Sequence, residues 1–248
     1  MVTAELLKSV PLFAALPEEQ LAALASCVTV RKFPRSTFIL RAGEETDGLY
    51  VILSGRAKVL IPDEEGDEVI LAMMGPREFF GEMGLLDDHP CSASVKTLEP
   101  CELMRVSKAD FMRCLSDNCE LAMRVMLGLV KRLREADRQI ESLALMDVYG
   151  RVARVLLDLA ENVDGKRVIH KAPPKQEIAR MIGASREMVS RVMKDLQNSG
   201  YIRMDKRRIV LLEKLRSDDR TLPSSLRRQR IEKANALFSP SRTASLAQ

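Results

Sequence analysis

Four residues in one short stretch have the chemistry to read the edge of a base. In KQEIARMIGASREMVSRVMKDLQNSGYIRM (175–204), Arg186, Glu187, Ser190 and Arg191 lie opposite the apolar Val189, Val192, Met193 and Leu196 at helical spacing. An Arg donates two hydrogen bonds in a fixed fork that matches O6 and N7 of guanine, and a Glu carboxylate accepts from N4 of cytosine. Ser185 is a good N-cap for this helix, and Gly183-Ala184 before it make a tight turn, since glycine takes the positive φ such a corner needs. Lys175–Met181 predicts a short preceding helix, with Ile178 and Ile182 on its apolar side. Gln176 and the N–H groups that open the second helix are then placed for phosphate contact. Gly200 stops the second helix, and YIRM-DKR-RIVLLE follows as two β-prone runs around a polar turn. Helix, tight turn, helix, wing predicts a winged helix-turn-helix whose second helix enters the major groove of double-stranded DNA.

Other elements must position that motif. From about Val28 to Val106 the chain breaks into short β-rich runs, among them FIL (38–40), GLYVILSG (48–55), RAKVLI (56–61), EVILAMM (68–74), SASVKTL (92–98) and ELMRV (102–106). Such runs with turn signals between them predict a jelly-roll type β-domain. In GLYVILSG, Leu49, Val51 and Leu53 fall on one face and Tyr50, Ile52 and Ser54 on the other. After Ser107 the texture is helical to about Val163. Within it Met126, Leu129, Leu133, Ala136, Ile140 and Leu143 repeat at alternating steps of three and four, the seam of a parallel dimer coil; packing on the chain's own β-domain is the competing reading. Asp147-Val148-Tyr149-Gly150 marks a hinge before a further helix, Arg151–Asn162. The fold class is therefore α+β, in four parts: a β-roll (1–120), a dimerisation helix (121–146), a winged helix-turn-helix (147–213) and a basic tail (214–248). The tail's Arg, Ser and Pro predict disorder.

The chain has 248 residues, 46% hydrophobic and 30% charged, with a net charge of +4. That charge is unevenly spread. Residues 1–120 carry 12 Lys and Arg against 20 Asp and Glu, whereas residues 151–213 carry 14 against 8. An acidic first half is repelled by nucleic acid and a basic second half attracted. Five cysteines without a C-x-x-C pair argue against a zinc ribbon or disulfide framework, and Cys114 and Cys119 predict buried helix positions rather than a metal pair. No apolar run reaches membrane-helix length and the first residues make a poor secretory signal, so the expectation is a cytoplasmic protein. His89 and His170 have no partners for metal or triad chemistry, and Asp63-Glu64-Glu65 and Asp87-Asp88 read as solvated turns. No catalytic site, no metal and no tightly bound cofactor are expected.

Over about residues 5–213 the sequence resembles the CRP/FNR family of bacterial transcription regulators. The β-roll, the long helix running into MDVYGRVARVLLDLAE, and GASREMVSRVMKDLQNSG carry the resemblance. It implies a homodimer on a two-fold symmetric DNA site and contact with RNA polymerase. Arg186, Glu187 and Arg191 match the R-E-x-x-x-R pattern of the branch that reads TGTGA-like half-sites. The family's cyclic-nucleotide cassette corresponds to FGEMGLLDDHPCSASV (80–95). By that resemblance Gly81 and Glu82 meet the phosphate and a ribose hydroxyl. An Arg-Ser pair would follow, but here it is Cys91-Ser92, which removes a charge-assisted contact of about 1.5–3 kcal/mol. A Thr-Ser pair that would meet adenine becomes Ala136-Asp137. Asp137 can accept from N1–H and N2–H of guanine, while Arg134 or Arg138 can donate to O6 and N7. Because some members of the family use cyclic di-GMP, that dinucleotide is the leading effector. A pocket without a ligand, with Arg134, Asp137 and Arg138 as surface helix pairs, and a cyclic-AMP-responsive regulator are the alternatives. A ligand at the junction of β-roll and long helix would act through the hinge on the spacing of the two recognition helices. Cys91, near phosphate-binding N–H groups, is a candidate for an acidified thiol.

Overall fold

The computed structural model describes residues 3–62 and 67–212. The acidic turn Asp63-Glu64-Glu65 and the tail 214–248 lie outside these residues. Two short helices open the chain, α1 (Ala4–Lys8), capped by the Thr3 side chain, and α2 (Glu18–Cys27), which starts behind Pro17 with Glu18 and Glu19 in its first turn. Then come β1 (Thr29–Phe33), β2 (Phe38–Leu40), β3 (Gly48–Ser54), β4 (Ala57–Pro62), β5 (Glu68–Met74) and β6 (Phe79–Phe80). The short helix α3 (Glu82–Leu86) separates these from β7 (Ser94–Thr97) and β8 (Cys101–Ser107). They pair antiparallel into two four-stranded sheets, ordered β1-β8-β3-β6 and β2-β7-β4-β5.

The alternation read in GLYVILSG divides β3 between two cores. Leu49 and Val51 pack with Leu21 of α2, Met104 and Phe111, whereas Tyr50 and Ile52 pack with Leu40, Val95 and Leu103. Both faces of this strand are covered, one by helices and one by the second sheet. A one-residue slip would exchange the two sets, so register is strongly specified.

Ser107 caps α4 (Lys108–Asp117) through the N–H of Asp110, and Asn118 caps α5 (Cys119–Leu145) by accepting from the N–H of Leu121 at 2.8 Å. Only Leu121 and Val125 of α5 are buried. Further along, Gly128 faces the ring of Phe79 so closely that an added Cβ would come within 2.8 Å of Cζ. Gln139 donates to the carbonyl of Leu71 in β5 at 2.8 Å. The β4–β5 hairpin is thereby tied to α5.

Past the break at Met146 the chain continues as α6 (Val148–Asp158), β9 (Glu161–Val163) and β10 (Lys166–Ile169). The helix expected through Asn162 therefore ends early. Asp164 and Gly165 both take positive φ, 51° and 75°, the geometry of a tight hairpin turn, and the chain reverses there as two strands. Next follow α7 (Lys175–Ile182), α8 (Arg186–Asn198), β11 (Ile202–Asp205) and β12 (Arg208–Leu211). The wing is a four-stranded sheet, β11-β12-β10-β9, rather than the two runs legible after Gly200. Two compact units result. The first holds residues up to Asp147 together with Pro173–Val189, and the second holds Val148–Ala172 and the residues from Ser190 onward.

Candidate nucleic-acid interface and effector site

Gly183 closes α7 in the left-handed region (φ 59°, ψ 53°), and the N–H of Ala184 turns back to the carbonyl of Ala179 at 3.0 Å. Ser185 then caps α8, its hydroxyl accepting from the N–H of Met188 at 3.2 Å. From that start, 100° per residue puts Arg186, Glu187, Ser190 and Arg191 within an arc of about 140°, opposite the buried Val189, Met193 and Leu196. Arg186, Glu187 and Arg191 are exposed, Ser190 is half-buried at the margin, and Gln176 is exposed on α7. On the wing turn, Lys206, Arg207 and Arg208 are exposed, with Arg207 held to the carbonyl of Ala172 at 3.1 Å. These wing cations suit phosphate contact.

Gly81 has φ 90°, and a Cβ there would lie 2.9 Å from the carbonyl oxygen of Gly48, so glycine is required on both counts. It leads into Glu82, whose side chain is 1% exposed. Burial pushes the Glu82 carboxyl upward, while the charge of Arg132 pulls it back. Oε1 pairs with Arg132 of α5, and Oε2 is buried without a hydrogen-bond partner. Arg132 also donates to the carbonyl of Phe79 and lies over its ring, 5.1 Å from the centroid. Oε2 is thus an acceptor for a hydroxyl donor. Arg132 was not singled out in the sequence as a site residue. Its signal is the spacing Gly128-x-x-x-Arg132, which sets the notch for Phe79 and the guanidinium one helical turn apart.

Cys91 and Ser92 bring no cation to this cassette. Cys91 is half-buried, its carbonyl and N–H bound to Gly43 and Glu44, and Ser92 is exposed. Burial, reinforced by the charge of Glu44, pushes the Cys91 thiol up. This corrects the expectation of an acidified thiol. Cys114 is half-buried beside the first core, but Cys119, expected in a buried helix, is exposed at the start of α5. Among the described residues no group of three or more His, Cys, Asp or Glu could hold a metal.

The other three expected effector residues lie on the outer side of α5. Arg134, Asp137 and Arg138 share one exposed side of α5 with Leu127, Val130 and Lys131. Gly81, Glu82, Cys91 and Ser92 lie outside α5, so the seven fall into two groups. No ion pair joins Arg134, Asp137 and Arg138 to one another among the described residues. Beside them runs the apolar stripe of α5. Met126, Leu133, Ile140 and Leu143 are exposed, Leu133 to 63% and Ile140 to 64%, and Ala136 is exposed with them. Leu129 instead packs half-buried against the β-domain, and exposed Val130 takes its place on the stripe.

Residues 30–118 match the Cyclic nucleotide-binding domain family, and residues 150–217 match the Crp-like helix-turn-helix domain. The cAMP-activated global transcriptional regulator CRP of Pasteurella multocida is 34% identical over 189 residues, 73% of this chain and 89% of that protein. The chain belongs to the CRP/FNR family of transcription regulators. Vfr of Pseudomonas aeruginosa, also described as cAMP-activated, is 34% identical over 76% of this chain and 91% of its own length. Among solved structures, the c-di-GMP-responsive global regulator CLP of Xanthomonas campestris is 27% identical with a TM-score of 0.68, covering 79% of this chain and 99% of that one. The protein is thus a CRP/FNR-type DNA-binding regulator with a cyclic-nucleotide domain; the family is one of regulators rather than enzymes. No helix among its described residues is long and apolar enough to cross a membrane.

Proposed function

We propose that this CRP/FNR regulator works as a cytoplasmic homodimer on a palindromic TGTGA-like operator, recruits RNA polymerase there, and answers to cyclic di-GMP. The observation that carries the effector reading is the exposed side of α5 on which Arg134, Asp137 and Arg138 stand together, with no ion pair among the three. Cyclic di-GMP is itself two-fold symmetric, with one guanine on each side. Two α5 helices joined along the stripe of Met126, Leu133, Ile140 and Leu143 would offer one copy of the three residues to each guanine. Asp137 accepts from N1–H and N2–H, and the guanidiniums donate to O6 and N7. CLP, a structural neighbour, is described as c-di-GMP responsive.

On the DNA, Arg186 and Arg191 donate to guanines and Glu187 accepts from cytosine, while Gln176, the α8 N-terminus and the wing cations hold phosphates. Effector at α5 acts through the segment around Asp147–Gly150 on the spacing of the two recognition helices, which must match the roughly 34 Å repeat of half-sites.

A second reading has its own observation. Glu82, buried with Oε2 unpartnered and backed by Arg132, suits the ribose hydroxyl of a cyclic mononucleotide, and both curated relatives are described as cAMP-activated. Calorimetric titration with cyclic di-GMP, cyclic AMP and cyclic GMP separates the two. Heat with the dinucleotide, lost in Asp137→Ala, is expected. Heat with cyclic AMP alone, lost in Glu82→Gln, would replace the first reading with the second.

A further inference from the structure

Glu68, the first residue of β5, is the centre of a charge cluster that DNA reading does not use. Its side chain is 13% exposed and meets Lys58 of β4, Lys96 of β7 at 3.5 Å and Arg180 of α7 at 2.9 Å. Asp67 beside it lies 3.9 Å from the other terminal nitrogen of Arg180. All belong to the first compact unit. Lys58 and Lys96 fix Glu68 from within the sheet, and Gln139 holds the same hairpin to α5 through Leu71. What Arg180 meets is therefore a carboxylate held in place by the sheet. Arg180 follows Gln176 by four residues, so the two share one face of α7, a turn apart.

We infer that Asp67 and Glu68 form an autoinhibitory clasp, which takes a phosphate-side cation of the helix-turn-helix, Arg180, out of use. The inference rests on the reading of the Gln176 face as the phosphate side. Closed, the clasp occupies Arg180; open, it returns one cation per protomer to the duplex. Because the same hairpin is bonded to α5, a change at α5 has a direct path to the clasp.

The test is binding of the full-length protein to two duplexes, a TGTGA palindrome and its scrambled counterpart, as a function of salt. Phosphate contact is blind to sequence, so the clasp must act on both duplexes. Glu68→Gln is expected to tighten binding about 3- to 10-fold near 100 mM salt and to steepen the log–log salt slope by about 0.9 for each phosphate gained. In an Arg180→Met background, Glu68→Gln should have no effect. Asp67→Asn, at a position whose side chain is 77% exposed, should tighten binding about 2-fold, which keeps the test open if Glu68→Gln fails to fold. Unchanged or weaker binding by Asp67→Asn and by any folded Glu68→Gln overturns the clasp. So does equal tightening with and without Arg180, which would mark a general charge effect. Gln176→Ala is the separate control: if it leaves scrambled-duplex affinity unchanged, the phosphate-side reading has failed by itself. Loss of preference for the TGTGA duplex alone would sink only the operator sequence.

Discussion

Arg186 and Arg191 lie on the first two turns of α8, the helix that Ser185 caps, and both are exposed. Arg186→Ala should cost roughly 1–3 kcal/mol on the operator and relax discrimination at the one guanine it reads, with scrambled-duplex affinity far less affected. Fluorescence anisotropy against single-base operator variants measures both effects. Arg132 supports a different prediction. Glu82 is already pushed up by burial, and the guanidinium is the charge that holds it back. Removing it in Arg132→Ala raises Glu82 further and leaves a buried carboxylate without its cation. Below the usual Glu range the carboxyl is protonated in folded and unfolded chains alike, so the only deficit there is the pH-independent one from the lost Phe79 contacts. As pH rises through that range the folded variant resists ionisation while the unfolded chain does not, and a deficit of roughly 2 kcal/mol should open toward neutrality. Thermal unfolding from pH 4 to 8 tests this; a deficit independent of pH would mean that Arg132 matters by packing alone.

Elements matter where they carry charge from one part of the fold to another. The β4–β5 hairpin gathers Lys58, Lys96 and Arg180 around Glu68, facing it from β4, β7 and α7, with Asp67 adjacent. Burial pushes the Glu68 carboxyl up, but the Lys58 hydrogen bond and the charges of Lys58, Lys96 and Arg180 outweigh it, and the net shift is downward. A depressed carboxyl contributes stability that is complete above its unfolded value and is lost as pH falls through the folded one. Acid unfolding of the parent should therefore steepen below about pH 4, and Glu68→Gln, which lacks that group, should show a shallower slope there. Chemical denaturation at a series of pH values provides the comparison. Parallel slopes would contradict the role assigned to Glu68.

The whole molecule depends on α5. Its 27 residues span about 40 Å, with only Leu121 and Val125 buried and an apolar stripe exposed over the rest. A second copy covering the stripe would bury each leucine with a gain of about 1.5–3 kcal/mol. Leu133→Asp places a carboxylate in that seam twice over. It should shift the protein from dimer to monomer in sedimentation and cost most of its affinity for a two-half-site duplex, while a single half-site is bound as before. A parent that sediments as a monomer at micromolar concentration would sink the dimer.

The DNA-reading motif was legible because its signals are local: a cap, a positive-φ glycine, a stop and an apolar period all act within one or two helical turns. The β3 alternation was equally legible, since side-chain period is fixed by the backbone, although both of its faces proved to be buried. Helix length beyond Asp158 was misjudged because Asp164-Gly165 favours a hairpin whose partner strand, β12, lies far along the chain. Leu129 fitted the heptad by spacing, yet α5 turns it toward its own domain, where it packs half-buried against the first core. Arg132 and Glu82 stand 50 positions apart, as Glu68 and Arg180 stand 112 apart. The sequence by itself determined which residues could read a base and which strands alternate, because those depend on neighbours in the chain. Only the tertiary structure decided which charges meet, because Coulomb attraction follows distance in space and desolvation follows burial, and neither is written in the order of residues.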